Sequence, residues 1–162
     1  MQYPAIVVAN EIIKLANAEK VDLTPLKLQK ILYLANGISY KRTGEKLINE
    51  KFEPWDYGPV VKSVYNVYRE NGANTIKEPI DDRIPSGSYS SLSSSSFIVN
   101  DDDLKIIKEA WDSVKNLSAF TLSAWSHNKD SPWDKAYNSN PKQAYISDED
   151  IKEYFDGLIP NQ

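Results

Sequence analysis

The chain has 162 residues, 41% of them apolar, with 19 Lys and Arg against 23 Asp and Glu for a net charge of −4. That length suits one domain able to bury about 70% of its unfolded surface, and the apolar content excludes wholesale disorder. The absence of cysteine excludes disulfides, thiolate metal sites and a Cys nucleophile, and the acidic balance argues against a dedicated nucleic-acid binder.

In chain order, Pro4 suits a first helical turn, and Ile6, Ala9, Ile13 and Ala16 carry helical spacing to about Ala18. Thr24-Pro25 is a second start signal. Leu28, Ile31, Leu32, Ala35 and Ile38 form one face of that helix, Tyr33 and Leu34 widen it, and Gly44 closes it, which makes this helix central. Lys41, Arg42, Lys46 and Lys51 form a basic stretch that reads as a solvated turn. Next, Phe52, Trp55 and Tyr57 are interrupted by Pro54, Gly58 and Pro59, so a buried aromatic turn or short extended segment is expected. Gly58-Pro59 then reads as the start of a third helix with Val60, Val64 and Tyr68 inside, ended by Asn71-Gly72.

Eight of the eleven residues from Ser86 to Ser96 are serine, so a mobile loop is expected at about 84–97. Ile76 and Ile80, facing Phe97, Ile98 and Val99, would make a short β-hairpin around 76–99. Asn100 caps a fourth helix with Leu104, Ile107, Trp111 and Val114 inside. Ser118 caps a fifth, Ser131-Pro132 a sixth, and Ser147 a last one with Ile151, Tyr154, Phe155 and Leu158. The fold class is mainly α: one compact domain over 1–162, six to seven helices and room for one small hairpin. The N-terminus lacks the basic stretch and cleavage site of a signal peptide and no apolar run spans a bilayer. With the missing cysteines this points to the cytoplasm and away from a membrane.

His127 is the sole histidine, with Ser123 four residues before it and Asp130 and Asp134 after. A Ser–His–Asp hydrolase would need a strained nucleophile turn and an oxyanion hole, and no Gly-x-Ser-x-Gly motif occurs. One imidazole beside two carboxylates is thin for a metal site. The plainer reading is a helix-end histidine packed over Pro132-Trp133. The glycines build no phosphate cradle, so neither enzyme nor cofactor is expected. Four Trp, ten Tyr and four Phe suit a surface that binds another protein, with Trp125 the best candidate for exposure and Tyr89 and Tyr40 next.

Taken together, several blocks resemble the Panacea domain, also called the SocA-like antitoxin-associated domain. They are Lys27-Leu28-Gln29-Lys30-Ile31-Leu32-Tyr33, then Phe52, Trp55, Tyr57-Gly58-Pro59-Val60 and Val64-Tyr65, then Leu122-Ser123, Ser126-His127 and Pro132-Trp133. Ser126, where the family often has Thr, and Asp130-Ser131 before Pro-Trp depart from the pattern. The resemblance implies an antitoxin that neutralises a toxin encoded beside it by direct binding, and that in one relative delivers the toxin to the ClpXP protease. It also implies occurrence in prophages and other mobile elements. The alternatives are a phage or prophage protein that modulates a host defence or regulatory factor, and a DNA-binding autorepressor. Gln29, Lys30, Tyr33, Trp55, Tyr57, Gly58, Pro59, Tyr65, Ser123, His127, Pro132 and Trp133 are the candidate site residues. Tyr57-Gly58-Pro59 is expected to meet His127 and Trp133, as a partner-binding site or as an internal scaffold.

Overall fold

A computed structural model describes residues 1–79 and 98–158. The expected Ser-rich loop at about 84–97 and Tyr89 lie outside that range, and so does most of the hairpin expected around 76–99. The described residues form seven α-helices and one two-stranded sheet. In order these are α1 (Ala5–Glu19), α2 (Pro25–Thr43), β1 (Glu53–Trp55), β2 (Gly58–Val60), α3 (Lys62–Tyr68), α4 (Asp101–Val114), α5 (Ala119–Ser126), α6 (Pro132–Tyr137) and α7 (Asp148–Asp156). The architecture is mainly α, as the periodicity predicts. Thr24, Asn100, Ser118, Ser131 and Ser147 each accept a hydrogen bond from the backbone N–H three residues on. Each cap quenches one orphaned first-turn donor, so these starts are legible from sequence.

Gly58-Pro59 does not launch a helix. It belongs to a hairpin in which Glu53, Pro54 and Trp55 face Val60, Pro59 and Gly58 across an Asp56-Tyr57 turn. Gly58 has φ +113, a conformation L side chains rarely adopt. The two prolines face each other at the pair whose N–H groups would point away from the partner strand, so the ladder loses nothing. Helix α3 starts only at Lys62. Of the expected hairpin around 76–99, the described flanks 76–79 and 98–100 are not strand. Ile76 N–H instead donates to Leu23 O at 2.7 Å.

Helix α2 is the hub, packed by α1, α4, α5, α7 and the hairpin. Its Leu28, Ile31, Leu32 and Ala35 meet Ile12 and Ile13 of α1, Ile107 and Trp111 of α4, and Phe155 of α7 in one core. Each large apolar side chain buried there contributes about 1.5–3 kcal/mol. At Gly37 an added Cβ would strike the Phe155 ring, so the missing side chain sets how closely α7 approaches. On α4 the expected stripe of Ile107, Trp111 and Val114 is buried and Ile106 joins it, while Leu104 is half-buried against the core.

For a central helix α2 carries unusual polarity: Lys27, Gln29, Lys30, Asn36 and Ser39 are all buried. Most of these side chains serve the irregular backbone of 45–61, whose buried N–H and C=O groups need partners. Asn36 Oδ1 accepts from the N–H groups of Leu47 and Ile48, both at 3.0 Å. Ser39 Oγ donates to Glu45 O at 2.9 Å. The basic stretch that reads as a solvated turn is in fact pinned. Arg42 pairs with Glu109, Lys46 and Lys51 with Asp148, and Lys41 Nζ donates to Leu158 O.

Candidate functional site

The candidate residues divide between a buried junction and an open groove, with the hairpin as the wall between them. On the buried side Gln29 acts as a strand edge for Val61: its Nε2 donates to Val61 O at 3.1 Å and its Oε1 accepts from Val61 N–H at 2.9 Å. One residue on, Lys30 is buried and its Nζ donates to Pro59 O at 3.0 Å. Burial holds this amine far below the usual lysine range, at about 7. Gly58 lies directly over it: an added Cβ would sit 2.6 Å from Ser126 Oγ and 2.9 Å from Lys30 Cε.

Trp133 closes the junction. Its Nε1 donates to Trp55 O at 2.7 Å, and its ring stacks on His127 at 3.9 Å and on Tyr137 at 4.4 Å between centroids. The two motif blocks meet through other residues than expected: Trp133 bonds Trp55 and Ser126 lies against Gly58, while Tyr57 points to solvent. His127 is the residue at the C-terminal end of α5, where its backbone N–H bonds Ser123 O and Ala124 O. Its imidazole pKa is lowered, by burial and then by the nearby Lys30 charge. Among the described residues Tyr33 OH, Ser123 Oγ and His127 Nε2 are buried without a hydrogen-bond partner, so the side chains of Ser123 and His127 do not bond each other. The Asp134 carboxylate accepts from Asp130 N–H and Asn138 Nδ2. Tyr33 is ringed by Phe52, Trp125 and Phe155 at 5.5–5.9 Å. This overturns the expected exposure of Trp125, which is half-buried there, and Tyr40 is buried too. Pro132 lies buried at the start of α6.

On the open side, Gln29, Trp55, Tyr57 and Tyr65 line a groove of about 820 Å³. Leu28, Val60, Val64 and Tyr68 are buried beneath it, and Asp56, Arg69 and Lys142 supply its charge. The Trp55 and Tyr65 rings meet edge-on at 4.6 Å. Tyr57 is 70% exposed and Tyr65 40%, so an aromatic surface faces solvent here. The sequence reading misses Arg69 and Lys142. Arg69 carries a usable signal, four residues after Tyr65, while Lys142 reaches the groove from a distant loop.

A family model described as "Antitoxin SocA-like, Panacea domain" matches residues 28–134. The chain is also 34% identical over 133 residues to "Antitoxin SocA" of Caulobacter vibrioides (strain NA1000 / CB15N), covering 81% of this chain and 69% of that protein. The chain belongs to the SocA-like Panacea family. It is therefore an antitoxin-type protein. The matched span holds all twelve candidate residues and every groove residue named above except Lys142. No solved structure matches the chain.

Proposed function

We propose that this Panacea-family protein neutralises a protein toxin by covering it, with the groove beside the hairpin as the contact surface and no covalent step of its own. The observation that carries this reading is the groove itself. An apolar hollow walled by Trp55, Tyr57 and Tyr65 has the composition of a protein-binding hot spot: large rigid side chains with polar tips and little conformational entropy to lose. Family membership supplies the partner class, and the adjacent gene is the first candidate for the toxin, acting in the cytoplasm.

The test is coexpression. Wild-type protein should restore growth to cells making the adjacent gene's product, and Tyr65→Ala should lose that rescue while remaining folded. Full rescue by Tyr65→Ala would remove the groove from the mechanism. Delivery to ClpXP extends the proposal: the toxin's half-life should then shorten only when both the protein and the protease are present. A toxin that stays long-lived in a stoichiometric complex would reduce the mechanism to simple occlusion.

A further inference from the structure

Resting on the groove as the toxin contact, we propose that its occupant is one amphipathic α-helix of the partner, carrying apolar anchors at helical spacing and acidic residues that face Arg69 and Lys142. The first argument concerns the hairpin wall, where an extended segment would otherwise add as a third strand. Along the outer edge of β2, Pro59 has no N–H and its O is taken by Lys30, while Val61 N–H and O are both taken by Gln29. Along β1, Pro54 has no N–H and Phe52 O accepts from Ile146 N–H at 2.8 Å. These edges offer a partner almost nothing to pair with, so recognition passes through side chains. A polyproline segment would look for an indole donor on an aromatic ridge, but Trp55 Nε1 already donates to Glu53 Oε1 at 3.1 Å. A hollow of about 820 Å³ walled by Trp55, Tyr57 and Tyr65 over a buried aliphatic floor instead suits bulky anchors projected from one helix face.

The second argument is charge. The protein is acidic overall, −4, yet its groove carries two cations, Arg69 and Lys142, with no carboxylate partner among the described residues. Lys142 Nζ rests over the Tyr137 ring at 4.4 Å. The one carboxylate among the described residues lining the groove, Asp56, is engaged by Tyr137 OH at 2.6 Å. Partner carboxylates are the complement to these cations, and they favour one direction for the helix.

The probe is a displayed library of random 16-residue peptides, panned on the full chain with Tyr65→Ala as counter-selection. Peptides retained only by the wild type should share apolar residues at i, i+3 or i+4 and i+7 together with Asp or Glu. Panning the Arg69→Glu/Lys142→Glu protein should return Lys or Arg at that position, and the wild-type peptides should bind it at least about tenfold more weakly. A proline-rich or alternating consensus, an acidic preference unmoved by the charge reversal, or no Tyr65-dependent peptide would overturn the inference. None of these outcomes bears on the groove's role in neutralisation, which stands or falls with the Tyr65→Ala rescue.

Discussion

Lys30 gives up solvent for a single carbonyl, Pro59 O, and this has a readable pH signature. In an unfolded chain a lysine keeps its proton to about pH 10.4, whereas burial lets Lys30 release it near pH 7. Between those values the unfolded state binds the extra proton, so stability rises with pH across the window and is lowest below it. Above about pH 10 Tyr40 acts in the opposite sense. Its phenol is pushed up to about 12 by burial, so the unfolded chain ionises first and stability falls. The wild-type melting temperature should therefore climb by about 5 °C or more from pH 7 to pH 9.5, and Lys30→Met should flatten the climb. Parallel profiles for the two proteins would show that Lys30 stays protonated in the fold. At this scale the sequence explained His127, which stacks on Trp133 as its reading expects, but marked Lys30 and Gly58 as special without saying why. The reason lies in contacts across 29 residues and more, which no local pattern carries.

At the scale of elements, the hairpin is held to α2 by side chains in place of a third strand. Gln29 supplies both hydrogen bonds that a neighbouring residue would supply to Val61. Gln29→Leu keeps the volume but leaves that N–H and C=O without partners, each costing about 1–3 kcal/mol. Urea unfolding should show a loss of about 2–4 kcal/mol. A loss below about 0.5 kcal/mol, typical of a surface change, would mean water serves that edge equally well. Helix starts were legible because a cap and its recipient N–H lie three residues apart. The hairpin was not, because Gly-Pro before a run of valines is also a good helix start. Only the pairing of Pro54 with Pro59 distinguishes the two, and pairing is not a local property. Trp125 was misjudged for a related reason: on α5 alone it faces outward, and Phe155 of α7 covers it at 6.1 Å.

For the molecule as a whole, the family's motif residues serve two ends. Lys30, Tyr33, Gly58, Pro59, Ser123, His127, Pro132 and Trp133 lock three segments together, and the face they leave open is the groove of Trp55, Tyr57 and Tyr65. A protein that works by covering a partner needs a wall stiff enough to present its aromatics in one arrangement, because ordering them on binding would cost affinity. The groove itself was not legible, since the start of α2, the hairpin, α3 and the loop at Lys142 become neighbours only in the fold. The most direct test is to measure toxin affinity and melting temperature together for Tyr57→Ala, Tyr65→Ala and Trp133→Phe, using the catalytically inactivated toxin. The account predicts that the two groove variants lose at least about tenfold in affinity with melting nearly unchanged. Trp133→Phe, deprived of its bond to Trp55 O, should lower the melting temperature while retaining tight binding. Wild-type affinity in both groove variants, with loss confined to Trp133→Phe, would contradict it and move the contact to the junction around His127.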